Sequence, residues 1–512
     1  MMDRITDVMD DRFVSEKLAA AREYETKNEI AVSDRPLFHV TPAVGWMNDP
    51  NGFSVYAGRV HLFYQYHPYS TVWGPMHWGH QVTKDMIKWE QLPAALAPDT
   101  EYDEDGCFSG TAIEDKGRHI LIYTSVMKNP DGEGVLQNQS IAVGDGTEYT
   151  KIGGNPVVNG DMLPYGLSRK DFRDPKVWQE DGIYYMVAGT VDEDKKGQVV
   201  LFSSQDLVNW SFESVLAKND KDYGGVWECP DFFEIDGHKV LLVSPIEMVA
   251  KGYEFHNGNN SIYFIGDYDD TEKKFEVGEP FSLDYGTDFY APQTTLLPDG
   301  RRVMIAWMQS WHNLWIPQGQ MWQGMMTLPR EISLKDGRLI QRPVREIENY
   351  RSDKVILANE LVSGSCVFDG ISGRFIDMEI AVKGDGYNEF AIDLAKNDRY
   401  YTRFTYDRRK NIIELDRTFA GFERDVVCIR RAEVKPSYSA DSQRGSAEDV
   451  GSIDEQIKLR FILDRNSIEL FVNDGIMTMS TAIYTPVTAT GIEFSCDGKA
   501  AVDIEKYDIK MN

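Results

Sequence analysis

Between residues 37 and about 345 the apolar positions fall in short runs, alternating or wholly apolar, each broken by turn residues. Residues 61–66, 119–125, 182–188, 199–203, 239–244, 261–266 and 302–308 are such runs, and their length and period predict strands. Asp236-Gly237, set between Phe233-Glu234-Ile235 and Val240-Leu241-Leu242, predicts a two-residue hairpin turn. No long helical period interrupts this region, which argues against parallel βαβ layers. Residues 9–28 differ: Val14, Leu18, Ala21 and Tyr24 recur at helical spacing among charges, predicting one amphipathic helix that packs as an arm outside the main domain. Beyond about 355 the runs lengthen and alternate more regularly, over 374–383, 389–394, 400–406, 457–463, 467–472 and 491–495, a pattern suited to an antiparallel sandwich. Residues 347–354 read as a connector, and 437–454, rich in Ser, Asp and Gly, as a surface loop.

A weak repeat refines the first region. Thr83-Lys84-Asp85-Met86-Ile87-Lys88-Trp89 is echoed by Ser204-Gln205-Asp206-Leu207-Val208-Asn209-Trp210, a hydroxyl-x-Asp-apolar-x-x-Trp turn. Strand clusters punctuated by a recurring turn point to a β-propeller. A sandwich would also use short strands, but some 300 residues is long for one. The expected division is an N-terminal helical arm (1–35), a propeller (36–347), a linker (348–357) and a β-sandwich (358–512), an all-β chain apart from the arm.

Charge narrows the partners. The 54 basic and 82 acidic residues leave a formal net charge of −28, so nucleic acid and anionic membrane surfaces, which reward basic patches, are poor partners. So many acids also mean that any single Asp or Glu is first of all solvated surface. Five cysteines without CxxC spacing and an N-terminus lacking an apolar signal run lead us to expect reduced thiols in a cytoplasmic protein.

Three acids stand apart by their neighbours. Trp46-Met47-Asn48-Asp49-Pro50-Asn51-Gly52 is good turn chemistry from Asp49 onward, yet it places an indole and an amide beside a carboxylate, a set suited to a sugar's C–H face and hydroxyls. Asp171-Phe172-Arg173-Asp174-Pro175 pairs an acid with an arginine; Val226-Trp227-Glu228-Cys229-Pro230-Asp231 sets a Glu between Trp and Cys ahead of an apolar strand. A carboxyl buried against an indole is held above its usual range, as a general acid near neutrality requires. The intervals run 60 residues from Asp49 to Ser109, 65 to Asp174, 54 to Glu228 and 62 to Tyr290. A blade of four strands with loops takes about 60 residues, so each motif falls at one place in successive blades, and five motifs imply five blades. Three carboxylates meeting at a channel mouth suit glycoside hydrolysis.

Phe38-His39-Val40-Thr41-Pro42 leading into the 46–52 string, Phe63-Tyr64-Gln65-Tyr66-His67-Pro68, Trp73-Gly74-Pro75-Met76-His77-Trp78-Gly79-His80, Phe108-Ser109-Gly110, Arg173-Asp174-Pro175, Glu228-Cys229 and Thr327-Leu328-Pro329-Arg330-Glu331 together resemble glycoside hydrolase family 32, the β-fructosidases. A looser likeness at Asp464-Arg465 and Val472-Asn473-Asp474-Gly475 carries it to the C-terminus. The resemblance implies a five-bladed propeller followed by a sandwich, and a retaining β-fructofuranosidase acting on sucrose or sucrose 6-phosphate. It implies Asp49 as nucleophile, Glu228 as acid/base and Asp174 as transition-state stabiliser. It further implies Trp46, Asn48, Gln65, Trp73, Phe108, Ser109, Arg173, Tyr290 and Trp311 as substrate-binding residues. No cofactor or metal is required.

The alternatives differ in class. Exo-hydrolysis of short fructans and fructosyl transfer use the same site; a non-catalytic sugar-binding propeller would not need all three acids; a five-bladed arabinose or xylose glycosidase would not need the 46–52 string. Cys229 is either a tuner of the adjoining acid or a small buried hydrophobe. His77 and His80, at i and i+3 of a strand, face opposite ways and read as structural, as do Trp89 and Trp210 in the repeated turn. Asp103, Glu104 and Asp105 read as a solvated run. The second domain shows no comparable acid and is expected to serve structure or oligomerisation, with a homodimer as one form.

Overall fold

A computed structural model describes residues 14–130, 132–434, 437–438 and 455–511. Five sheets of four or five strands form five propeller blades, and a sixth, 11-stranded assembly forms the C-terminal sandwich. The innermost strands are Gly45–Tyr56, Gly106–Asp115, Arg173–Glu180, Trp227–Ile235 and Tyr290–Leu296. Blades one to four each open with a two-residue hairpin, at Ala57-Gly58, Lys116-Gly117, Asp181-Gly182 and Asp236-Gly237, where both residues have positive φ. That conformation matches the strands' twist and favours Gly at the second position. The ring closes where Trp322–Gln323, late in the chain's fifth blade, pairs in parallel with Gly45 and Trp46 of the first.

The repeated Asp turn joins third and fourth strands. Asp85 Oδ1 accepts the N–H groups of Ile87 and Lys88, and Trp89 Nε1 donates to Met86 O; Asp206, Val208, Asn209, Trp210 and Leu207 repeat this geometry. Both tryptophans thus brace their turns. His80 Nε2 lies 3.0 Å from His61 Nδ1, whereas His77 Nδ1 donates to Pro75 O.

The helix Glu16–Lys27 is capped by Ser15, whose Oγ accepts the Leu18 N–H. It buries Leu18 and Ala21 against the first blade, and Arg22 reaches Ala94 O and Glu148. Of the helix predicted over 9–28, residues 9–13 lie outside the described residues, and Val14 is exposed ahead of the cap. Asp103, read as solvated, is fully buried. It accepts from Lys151 Nζ at 2.5 Å and Tyr123 Oη at 2.8 Å, because its loop lies against the neighbouring strands Arg118–Lys128 and Tyr149–Lys151.

The stretch expected as a linker is ordered structure: a 3-10 turn, Arg345–Tyr350, runs directly into the strand Arg351–Cys366. This strand alternates only weakly, being largely exposed at an edge, so its pattern is polar. Gly491–Ile509 is likewise longer than expected. Its first half pairs with Glu389–Lys396 and its second with Ile376–Lys383, turning the corner between layers. Of the loop expected over 437–454, Ser437 and Tyr438 pair with the strand Glu455–Asp464, and the rest lies outside the described residues.

Candidate active site

Each innermost strand breaks register at the same end of the channel. Two residues oppose one at Asn48-Asp49, Asp174-Pro175, Cys229-Pro230 and Ala291-Pro292, and a further shift falls between Phe108 and Gly110. Such bulges re-aim side chains. Proline sits in or beside the bulge at Pro50, Pro175, Pro230 and Pro292, positions where a missing N–H costs little ladder bonding. The residues before three of these prolines, Asp174, Cys229 and Ala291, are held at φ of 62°, 49° and 52°, strain of about 1–3 kcal/mol apiece. In the second blade Gly110 takes the proline's place: a Cβ there would lie 2.1 Å from Ile122 O.

The bulges bring the three acids around one residue. Cys229 Sγ lies 3.6 Å from Asp49 Oδ2 and 3.7 Å from Asp174 Oδ2, and its N–H donates to Asp174 at 3.0 Å. Glu228 precedes it. Ser109 Oγ donates to Asp49 Oδ2 at 2.7 Å and Asn48 Nδ2 to Oδ1 at 3.1 Å, while Trp46 Nε1 donates to Asn48 Oδ1 and so fixes the amide's orientation. Arg173 donates through Nε and Nη2 to Glu228 Oε1 at 3.1 and 3.0 Å, and Tyr290 Oη lies 2.5 Å from Oε2.

Burial sets the titration of this cluster. The Asp49 carboxyl is pushed up by desolvation and by the Glu228 charge, against the pull of its Ser109 and Asn48 hydrogen bonds. Asp174 is raised to about 7 by burial, Arg173 opposing and the Glu228 and Asp49 charges adding to it. Asp174 therefore holds a proton near neutrality, coupled to the charges beside it. The Tyr290 phenol and Cys229 thiol are pushed up by burial and the same carboxylates, so both stay protonated donors.

Two expectations are corrected in detail. Glu228 does not lie against its neighbour Trp227, whose ring packs on Phe264 in the blade core while its Nε1 donates to Tyr223 O; strand alternation turns the two apart. Cys229 touches Asp49 and Asp174 rather than the acid beside it. Trp46 is 1% exposed, covered by Trp311 stacked at 5.9 Å and flanked by Trp307. The aromatic surface left open consists of Trp311, Phe108 and Trp73, the last 45% exposed and edge-on to Phe108 at 6.0 Å. Gln65 is buried and donates to Cys107 O.

Sequence reasoning missed the second row. Thr124 Oγ1 accepts the Asp174 N–H at 2.9 Å, Gln137 Oε1 accepts from Arg173, and Gln293 joins blades by donating to Gly110 O at 2.7 Å. Gln293 carried a signal, lying next to Pro292 in the motif around Tyr290; Thr124 and Gln137 sit in unremarkable strands.

Residues 39–343 match the model of the glycosyl hydrolases family 32 N-terminal domain, and residues 344–510 that of the family 32 C-terminal domain. A sucrose-6-phosphate hydrolase of Escherichia coli is 36% identical over 457 residues, covering 88% of this chain and 89% of that protein. A raffinose invertase of Escherichia coli is 37% identical over 456 residues, with 88% and 89% covered. The structure of a GH32 beta-fructofuranosidase from Bombyx mori superposes with a TM-score of 0.81 at 32% identity, covering 96% of this chain and 98% of that one.

Proposed function

The chain belongs to glycosyl hydrolase family 32, and from that membership and the convergence of its three carboxylates we propose that it is a retaining β-fructofuranosidase cleaving the fructosyl bond of sucrose or sucrose 6-phosphate. The observation that carries this is the meeting of Asp49 and Asp174 at Cys229, with Glu228 joined to them through Arg173, each acid supplied by a different blade.

In this reading Asp49 attacks the anomeric carbon of the fructosyl unit, and Ser109 and Asn48 keep its attacking carboxylate ionised and aimed. Glu228 gives its proton to the departing glycosidic oxygen as that bond breaks, then takes a proton from the water that opens the fructosyl–Asp49 ester. Arg173 and Tyr290 fix the Glu228 carboxyl in place. Asp174, anchored by the Cys229 N–H, accepts fructose hydroxyls and offsets charge developing on the ring. Trp311, Phe108 and Trp73 form the wall against which the sugars lie; Trp46 and Gln65 support it from behind. The five free cysteines favour a reducing, intracellular setting, and the sucrose-6-phosphate hydrolases among the relatives favour a small substrate.

Glucose and fructose release from sucrose, sucrose 6-phosphate and a short inulin-type oligosaccharide tests the reading. Asp49→Ala and Glu228→Gln should each lower kcat by about 10³-fold or more with Tm little changed. With methanol present, the wild type should form methyl fructoside of retained configuration. Near-normal turnover in either variant removes that residue's role, and an inverted product removes the covalent step.

A further inference from the structure

Beside the active-site mouth lies a second cavity, of about 330 Å³, where the loop between the strands His238–Pro245 and Ile262–Asp269 meets the sandwich strand Ile429–Glu433. Tyr253, His256, Asn257, His312 and Arg430 line it. His312 directly follows Trp311, and its ring packs on Gly258, where an added Cβ would lie 2.2 Å from Nε2. Through His312 the cavity adjoins the loop that carries Trp311.

Its charges are unbalanced. Both acids at its edge are engaged elsewhere: Glu254 Oε1 accepts from the Ser282 N–H and the Tyr285 hydroxyl, and Asp284 is taken up by Arg330 and Ser480. Arg431 is paired with Glu414. Asp288 faces Arg430 at longer range, but its oxygens are held by Arg417, the Ala482 N–H and Asn313. The Arg430 side chain has no ion pair or hydrogen bond among the described residues, and its Nε is buried without a partner. Burial holds its guanidinium down at about 10, and burial together with the Arg430 charge holds the His256 imidazole at about 4. An unpaired, desolvated cation is costly, and it stands here in a chain of net charge −28.

We propose that this cavity binds a phosphate monoester, with the Arg430 guanidinium as the fork that receives its oxygens. A guanidinium pairs bidentately with phosphate. His256 Nδ1 donates to Asn257 O, which leaves Nε2 a lone pair for a hydroxyl of the ester's sugar. The volume exceeds what a bare phosphate fills and lies at the small end for ligand pockets, in keeping with a hexose phosphate. Such a phosphate has two sources. It arrives on sucrose 6-phosphate seated in the neighbouring active site, which rests on the function proposed above, or on a separate hexose phosphate that binds in its own right.

Calorimetric titration of the full-length enzyme with inorganic phosphate and with glucose 6-phosphate, at low salt, decides the matter. Saturable binding to the wild type is expected. Arg430→Gln, which breaks no side-chain hydrogen bond or ion pair among the described residues, should weaken it at least about tenfold, and Arg430→Lys, which keeps charge without the fork, by less. No saturable binding to the wild type, or equal affinity in wild type and Arg430→Gln, overturns the site. The ratio of kcat/KM for sucrose 6-phosphate to that for sucrose identifies the source. A tenfold fall in Arg430→Gln assigns the phosphate to the substrate; a constant ratio with weakened phosphate binding assigns it to a separate ligand. Should the wild type cleave neither sugar, the functional reading fails while the titrations still decide the site.

Discussion

At the residue scale the chemistry turns on how clustered carboxyls act on one another. Asp174 is raised to about 7 partly by the Glu228 and Asp49 charges, and the repulsion is mutual. Asp49 must be ionised to attack, and its carboxyl is raised by burial and by the Glu228 charge, so kcat/KM for sucrose should fall on the acid side. Asp174→Asn removes one of the repelling charges. Asp49 then ionises more readily, so the acid limb should move to lower pH, together with a loss in kcat of roughly 10²-fold or more from missing transition-state stabilisation. A pH–rate profile of wild type and variant checks this; a limb that stays put or moves to higher pH would show that the Asp174 charge does not act on Asp49.

At the scale of elements, the site is a product of five bulges, and the sandwich reaches one of its walls. Asn313, 1% exposed, donates to Thr287 O at 2.7 Å and Ser310 Oγ at 2.9 Å and accepts the Val427 N–H at 2.9 Å. Trp315 packs on Phe422 and Tyr484 of the sandwich. The loop that carries Trp311 is therefore fastened to the second domain at two points just after it. Asn313→Ala should lower kcat/KM for sucrose by about tenfold, mostly through KM, since Trp311 loses its fixed position. A variant of the same interface far from this loop, Asp464→Asn, should lower Tm with kcat/KM nearly intact; if both behave alike, the fastening has no part in binding. Much of this scale was legible. Runs of alternating residues marked most strands, and the motif intervals marked five blades. A second periodic signal lay unread, the Ala57-Gly58, Lys116-Gly117, Asp181-Gly182 and Asp236-Gly237 turns, of which only the last was noticed. The edge strand Arg351–Cys366 was hidden because exposure on both faces erases alternation. The second row of hydrogen bonds was hidden because a strand Thr or Gln looks the same whether or not a bulged backbone elsewhere needs it.

For the molecule as a whole, the motifs that resemblance marked but catalysis does not use lie at the junction of the two domains. Asp464 accepts the N–H groups of Leu37 and Phe38 and the His39 Nδ1–H at 2.8 Å, while His39 Nε2 meets Glu469 at 2.9 Å. Glu469 also receives Arg330, which reaches on to Asp284 and Ser480. One buried network thus clasps the chain's entry into the propeller, its exit, and the sandwich. Within it His39 is raised to about 9, its two carboxylates outweighing burial, and Asp464 and Glu469 are held low in turn. The imidazolium titrates near 6.5 once unfolded. A raised cationic pKa contributes stability that is complete below about 6.5 and is lost as pH climbs through about 9. Tm should therefore decline between those limits in the wild type. His39→Gln should cost about 3–5 kcal/mol, because buried carboxylate is left short of its cation, and its Tm should no longer fall across that window beyond what other groups contribute. Equal slopes in wild type and variant would mean that His39 is not the proton-binding member of the clasp.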